Sequence, residues 1–288
     1  MSRVRPDGGI APGVHWRRRV ANRVAIGACA LATAIVVLPL ALLVIRLVSA
    51  GLHGFSLGFF LHLPKPVGEP GGGMANAIFG TLIVVAIGAA IAVPIGVASG
   101  VYLAEYGRER LAGVVRYTAD VLAGAPSIVV GVAVFGLLVV PMGRFSALAG
   151  GVALAVLMLP TIVRATEEVV RLVPASYRQA ALALGAPSWV ATLRVVLPAA
   201  RAGVTTAALL AVARASGETA PLLFTALGNR FWSARVDQPI ATLPVMIFDY
   251  ARAPYPDWNA QAWTGALVLL ALVTLLSALM RAATRRIS

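Results

Sequence analysis

The sequence is poor in the residues that most enzymatic and metal chemistry requires. Of its 288 residues only 12% are charged, with one cysteine, Cys29, and one lysine, Lys65. A P-loop that cradles nucleotide phosphates ends in Gly-Lys-Ser/Thr, whereas Lys65 is followed by Pro66, so the chain has no ATPase site of this kind. A lone cysteine forms no internal disulfide. The histidines lack metal-ligand spacing, so no cofactor or metal is expected on this chain: they are His15, His53 and His62.

Apolar sequence is what the chain has in abundance. Its residues are 59% hydrophobic and its mean hydropathy is +0.87, whereas a soluble domain carries about 25% charged residues. A run of about 20 apolar residues crosses the bilayer as a helix, because exposed strand or loop backbone would lack hydrogen-bond partners in lipid. The sequence predicts an all-α polytopic membrane protein with about six transmembrane helices, at 24–48, 76–98, 121–140, 147–163, 202–223 and 262–280.

The distribution of arginine and lysine orients these spans. Seventeen of the 24 basic residues fall in the two tails and in the second–third and fourth–fifth connections. Five fall in the other connections, and two lie inside spans. Because basic residues concentrate on the cytoplasmic side, both termini are expected there, with residues 1–20 as a disordered tail. The net charge of +13 is thus a topology signal spread over four segments, and no nucleic-acid partner is expected.

Two other patterns indicate packing or partners. Gly96 and Gly100 have the small-xxx-small spacing that lets helices approach closely. The exterior stretch 226–261 is rich in aromatic residues, which predict either an interfacial belt against lipid or a docking surface for an outside partner. These aromatic residues include Phe231, Trp232, Tyr250, Tyr255 and Trp258.

The segment 174–198, which we name the elbow, lies in the predicted cytoplasmic connection between spans four and five. Ser176 followed three residues later by Gln179 fits a capping box and predicts a helix opening at Tyr177. Gly185 can take the left-handed conformation that ends a helix, and Pro187 forbids its continuation. A second short helix is expected from about residue 188 to 198. The pattern therefore predicts two short helices joined at Gly185, with alanines leaving a flat face for a partner protein.

The run R-A-S-G-E-T-A-P-L-L at 214–223 places charges within the fifth apolar span. If the helix starts near Ala202, Arg214 lies about 18 Å along it, and Glu218 follows one turn later on the same face. Intramembrane charges cost at least about 2.5–3.5 kcal/mol each and normally face a cavity or a partner. Pro221 cannot donate a backbone hydrogen bond, so the helix is expected to kink or open. The candidate pathway or gate residues are Arg214, Glu218, Thr219 and Pro221; a purely structural Arg214–Glu218 pair is the alternative.

The elbow resembles the cytoplasmic signature of ABC-importer membrane permeases, E-A-A-x3-G-x9-I-x-L-P. Gln179 stands here in place of the glutamate and Val195 in place of the isoleucine. The resemblance implies a type I ABC-importer permease fold over residues 21–288, with coupling helices at about 174–198 that dock in a cleft of a separate ATPase subunit. The residues assigned to this coupling are Gln179, Ala180, Ala181, Gly185, Leu197 and Pro198. The alternative is a capped surface helix lying on the membrane.

The G-E-T-A-P-L run at 217–222 is similar to a signature of the phosphate-importing branch of these permeases. A-D-V-L-A-G-A-P-S-I-V-V-G at 119–131 and F-W…Q-P-I-A-T-L-P at 231–244 resemble that branch too, and the likeness extends over roughly 74–288. It implies import of inorganic phosphate through the bacterial cytoplasmic (inner) membrane. Sulfate, molybdate or tungstate is the alternative substrate within this class. A membrane-embedded enzyme using Glu218 with Asp120 or His62 is the alternative from another class, and it lacks sensible residue spacing.

The resemblance also implies a set of partners. ATP and Mg would be used by a dimer of ATP-binding subunits, not by this chain. A second, PstC-like permease subunit would complete the pathway as a heterodimer. A periplasmic or lipoprotein phosphate-binding protein would deliver the substrate from outside, and membrane lipid would surround the spans.

Overall fold

The computed structural model describes residues 12–69, 71–107 and 110–285. Within these ranges the chain is helical and has no strand, which confirms the all-α prediction. Five helices are long and apolar enough to cross a membrane, and counting one bent helix pair as a single span makes six. The chain divides into two compact units, Met1–Ser49 and Ala50–Ser288.

The first unit, in its described part, is formed by helix α1 (Pro12–His53), which continues into the second unit. Its apolar stretch has a mean hydropathy of 2.8, and its most apolar part is entirely exposed. Residues 12–20 are helical, so the prediction of a disordered tail is wrong for them; residues 1–11 lie outside the described ranges.

Four further long helices belong to the second unit. Most of their ends lie beyond the predicted bounds, because apolar runs define only the lipid-facing centre of a span. The fifth span, predicted at 202–223, instead starts earlier and ends at Ala215. Their bounds are α3 (Ala75–Glu105), α7 (Ala147–Arg171), the continuous stretch Ser188–Ala215, and α13 (Pro256–Arg285). The stretch Ser188–Ala215 consists of α9 (Ser188–Ala191), a π-helical turn (Thr192–Val196) and α10 (Leu197–Ala215).

The third predicted span, 121–140, is not one straight helix. Helix α4 (Arg110–Gly124) is followed after two residues by α5 (Ser127–Val134), a π-helical turn (Phe135–Val139) and α6 (Val140–Met142), and the two parts meet at 108°. The break falls at Ala125 and Pro126, because a residue that precedes proline is pushed out of the helical conformation. The prediction of a continuous third span is therefore wrong, although the signal for the bend was present in Pro126.

Close packing of α3 against α7 forms the centre of the second unit. A Cβ atom placed on Gly100 would lie 2.6 Å from Cβ of Thr166, and one on Gly96 would lie 2.7 Å from Cγ2 of Ile162. Only glycine fits such distances, which confirms that the predicted small-residue pair serves helix packing. Leu154 and Met158 on α7 are fully buried in the same core.

The remaining helices are short. Helices α11 and α12 lie on either side of an irregular stretch, 226–242, within the region predicted as an exterior loop. Helix α12 packs against α13, and α11 packs against α5. The bounds are α2 (Leu57–Leu61), α8 (Ala175–Ala183), α11 (Ala220–Thr225) and α12 (Leu243–Arg252).

Candidate functional site

The first helix of the elbow, α8, begins at Ala175 and not at Tyr177. Pro174 occupies the cap position with φ −56° and ψ 139°, and no side chain caps the helix. Ser176 lies inside the first turn, where its helical backbone cannot present the hydroxyl to the free N–H groups as an N-cap residue does. The capping-box prediction is therefore wrong, although the helix it announced is present.

The turn after α8 is a left-handed stop. Gly185 has φ +83°, and its N–H donates to the Leu182 carbonyl at 2.9 Å while Ala186 N–H donates to the Ala181 carbonyl at 3.1 Å. This pair of bonds is the Schellman closure of a helix end. Nothing lies within 4 Å of a Cβ added at Gly185, so the glycine is required by backbone conformation and not by crowding. The predicted role of Gly185 in the turn is confirmed.

The second helix of the elbow does not end at Pro198. It starts at Ser188 as expected but runs without a break through the π-helical turn into α10. Pro198 has no N–H to donate to the Arg194 carbonyl, and a π-helical turn directly before it accommodates the missing bond. The elbow is consequently rigid at this end, because its second helix is the beginning of a membrane span.

Arg178 fixes α8 to the ends of two long helices. Its Nε donates to Oε1 of Glu105 at 2.9 Å, and its other nitrogens donate to the carbonyl of Val173 at 2.6 Å and of Val170 at 3.0 Å. Glu105 is the last residue of α3, and its side chain is 10% exposed. Sequence reasoning missed this pair because its members are 73 positions apart.

The outer face of the elbow is apolar and uncovered. Leu184 is 90% exposed and Trp189 61% exposed, and Tyr177 and Leu182 are also exposed. Among the predicted coupling residues, Gln179, Ala180, Gly185 and Pro198 are exposed, Ala181 is buried and Leu197 is half-buried. Several exposed large apolar side chains on one firmly held segment are typical of a protein-docking surface.

Arg214 and Glu218 line a cavity of about 270 Å³. Its other walls are the α4–α5 bend, residues 122–127, and Pro160 and Thr161 of α7. Helix α10 ends at Ala215, so Glu218 is not on the same helical face as Arg214, contrary to the prediction. Across the described ranges, no ion pair joins these two side chains, and the Arg214 guanidinium in the cavity wall has no acidic partner among the described residues.

The predicted opening of the helix at Pro221 is confirmed. Residues 216–219 are non-helical, and α11 starts at Ala220 with Pro221 in its first turn. Pro221 is buried and packs on α5, where a Cβ on Gly131 would lie 2.6 Å from its Cα. Thr219 is half-buried at the cap position. Of the four candidate gate residues, the structure brings only Arg214 and Glu218 into the cavity wall.

The residues of the enzyme alternative do not come together. Asp120 is bound by Arg164 at 2.9 Å and does not line the cavity of Glu218. His62 ends helix α2, and its N–H donates to the Gly58 carbonyl. The arrangement lacks the contact between an acid and a base that catalysis by these groups would need.

A cluster of charges that sequence reasoning missed lies between α4 and α7. The carboxylate of Glu167 is 3% exposed. Its oxygens form ion pairs with guanidinium nitrogens of Arg116 at 2.7 Å, Arg171 at 2.6 Å and Arg164 at 3.3 Å. Arg164 also contacts Asp120. We name these five residues the Glu167 cluster. Only the spacing of Arg164, Glu167 and Arg171 along one helix gave a sequence signal for it.

The aromatic residues of 226–261 divide between packing and exposure. The Tyr250 and Trp258 rings stack with centroids 4.4 Å apart, and burial raises the pKa of Tyr250 above its ordinary value. Phe231, by contrast, is 74% exposed and Trp232 is 53% exposed. The loop therefore keeps an uncovered aromatic surface, as the docking alternative requires.

Comparison with known proteins points to one family. The model of the binding-protein-dependent transport system inner membrane component matches residues 92–288. The chain is 43% identical over 92% of its length to the phosphate transport system permease protein PstA of Yersinia pestis, covering 90% of that protein. It is 45% identical over 92% of both chains to the same-named protein of Xylella fastidiosa (strain 9a5c). The inward-facing MetNI methionine ABC transporter is similar in fold, with a TM-score of 0.58 at 21% identity over 74% of this chain and 93% of that one.

Proposed function

Because the chain belongs to the family of binding-protein-dependent transport system inner membrane components, we propose that it imports inorganic phosphate as a membrane subunit of an ATP-driven transporter. The observation that carries this proposal is the identity of 43–45% with phosphate transport permeases along almost the whole chain. The permease domain is proposed to cover residues 21–288, with both termini in the cytoplasm of a bacterial cell. Sulfate or another oxyanion is the competing substrate.

The proposed pathway runs through the cavity of Arg214 and Glu218. A guanidinium offers paired hydrogen bonds to a tetrahedral oxyanion, and the absence of an Arg214–Glu218 ion pair leaves those donors available. The Glu218 carboxylate in the same wall would repel an anion and weaken its binding, so a weak and transient site is expected. In this proposal Thr219 and Pro221 stabilise the helix break at 216–219, which places Glu218 in the cavity wall.

The proposed motor contact is the exposed face of the elbow. An ATP-binding subunit would cover Leu184 and Trp189 and contact Gln179, Ala180 and Gly185 of the elbow. That partner, as a dimer, would use ATP and Mg. A PstC-like second permease would supply the other half of the pathway, and a phosphate-binding protein would dock on the exposed aromatic surface around Phe231 and Trp232.

Uptake of radiolabelled phosphate by cells with and without this chain tests the proposal, with excess sulfate as competitor. Arg214→Gln should lower uptake at least about tenfold, a loss of about 1.4 kcal/mol in transition-state binding, while the subunits still copurify. Arg201→Gln, on the exposed start of the same helix, is the matched control and should transport normally. Uptake that sulfate abolishes, or full uptake by Arg214→Gln, would contradict the proposal.

A further inference from the structure

The Glu167 cluster occupies the space between the elbow and the cavity. Arg171 is the last residue of α7, three positions before the elbow begins. At the other side of the cluster, Asp120 lies on α4 two positions before Leu122, which lines the cavity. Arg164 lies one turn after Pro160 and Thr161, which line the same cavity. A continuous chain of ion pairs thus connects the base of the elbow with the bent wall beside Arg214.

The cluster also contacts the end of α3. Nη2 of Arg116 donates to the carbonyls of Leu103 at 3.0 Å and Gly107 at 3.3 Å, while its Nε donates to Glu167. Glu105, between these two carbonyls, is the residue that holds Arg178 of the elbow. Contacts therefore connect α8 to the end of α3, and, through Arg116, the end of α3 to α4.

Helix α4 packs on its neighbours through a few small apolar side chains. Ala112 and Ala119 are its buried residues, against Leu103 and Val163, and Val115 packs partly buried against the same residues. These side chains bury little apolar surface, at about 25 cal/mol per Å², so the ion pairs add substantially to the attachment. Such a helix can shift as a body when its ion pairs rearrange.

The contacts of the cluster differ in their exposure. Glu167 is 3% exposed, whereas Asp120 is 54% and Arg164 39% exposed. Breaking the buried contacts leaves a desolvated carboxylate unpaired, but water can replace the Asp120–Arg164 contact at small cost. The cluster therefore combines buried ion pairs at Glu167, which are costly to break, with an exposed Asp120–Arg164 pair, which can open at small cost.

We propose that the Glu167 cluster is a relay, in which the Asp120–Arg164 pair transmits displacement of the elbow to the α4–α5 bend and so controls access to the Arg214 cavity. Its members are positioning residues and do not touch the substrate. The relay rests on the proposed function only in requiring an ATP-binding partner at the elbow; it does not depend on which anion is carried.

The test measures access to the cavity instead of transport. In the complete complex, Cys29→Ser removes the native thiol and Ser127→Cys places a reporter in the cavity wall. The rate of maleimide labelling is measured without nucleotide and after trapping with ATP and vanadate. We expect trapping to change this rate at least about threefold in the parent complex.

Asp120→Asn, Arg164→Gln and the double variant then test the relay. Each should lose most of the trapping response while keeping assembly and ATP hydrolysis. Both single variants break the Asp120–Arg164 contact, and Arg164→Gln also removes the Arg164–Glu167 contact, so the double variant should be no worse than Arg164→Gln alone. Arg235→Gln, which breaks an exposed pair outside the cluster, should respond like the parent. Additive losses, or a normal response in both single variants, would overturn the relay.

Two further outcomes separate the relay from the proposed function. If labelling of the parent complex responds to trapping but the complex imports no phosphate, the proposal of phosphate as the substrate is contradicted and the relay is supported. A parent complex with no response to trapping contradicts the relay itself.

Discussion

The elbow side of the second unit and the 226–261 loop both contain ion pairs, but of opposite character. In the Glu167 cluster one nearly inaccessible carboxylate is shared by three arginines. In the loop, Asp237 is 34% exposed and is contacted by Arg235 at 3.1 Å and Arg144 at 3.4 Å, which are 66% and 53% exposed. Exposed pairs of this kind contribute roughly 0–1 kcal/mol. Buried ones determine position, because losing a partner is costly.

The loop is held by other means. Leu148 N–H donates to the Val236 carbonyl at 2.9 Å, and Leu243 N–H donates to Oγ1 of Thr81 at 2.8 Å. Backbone bonds and stacked rings thus hold the loop besides its exposed ion pairs. The comparison teaches that, in the described part of the chain, a buried shared carboxylate lies between α4 and α7, where we propose a relay, whereas the ion pairs of the loop are exposed.

Substitution of a left-handed glycine inside the elbow, compared with one outside both regions, gives the largest expected contrast. Gly185→Asp should abolish ATP-driven uptake while membrane insertion stays normal, because a charge enters the apolar docking face of the elbow. Gly143→Asp, at φ +64° and also with nothing within 4 Å of the added Cβ, carries the same backbone strain of about 1–2 kcal/mol.

Uptake assays and quantification in isolated membranes distinguish the two variants. Normal uptake by Gly185→Asp would refute the coupling assignment. Equal losses in both variants would show that strain, and not position, is responsible.

Removal of the shared carboxylate has the next largest effect. Glu167→Ala should lower the free energy of unfolding of the complex by about 2–3 kcal/mol. This is less than the ~3–5 kcal/mol for a broken buried pair, because the three arginines left behind are partly exposed. Glu168→Ala, on the exposed face of the same helix, is the control. Denaturant unfolding in detergent measures both, and a similar destabilisation by the two would remove the distinction between buried and exposed charge.

The smallest effect is expected from the loop pair. The Arg235 guanidinium, hydrogen-bonded to Asp237, holds the pKa of that carboxyl below its ordinary value. A depressed carboxyl pKa gives stability that is present above the unfolded-state pKa, near 3.9, and is lost as the pH falls through the folded-state value.

Arg235→Gln should therefore lower the unfolding temperature slightly at neutral pH, because the pair is exposed, and the difference from the parent should disappear below about pH 4, where Asp237 becomes protonated. Unfolding scans of parent and variant from pH 3 to 7 measure this. A loss at pH 7 as large as that of Glu167→Ala would mean that the loop depends on charge as the elbow does.

Local features were predictable where a few neighbouring residues decide the outcome. Gly185 ends α8 because only its own backbone must turn, and Pro221 opens a helix through its own missing donor. The prediction that Ser176 caps α8 was wrong because the helix starts at Ala175, with Pro174 at the cap position. The bend at Pro126 was missed because the apolar run passes across it, and hydropathy does not register backbone direction.

The sequence by itself determined that this chain is a bundle of apolar helices with charges near one interrupted span, because burial in lipid and backbone restriction act residue by residue. Only the tertiary structure decided that Arg214 and Glu218 do not pair, that Arg178 reaches Glu105, and that Arg116 meets Glu167 from 51 positions away. Such contacts depend on where whole helices pack, and a linear pattern of residues does not contain that information.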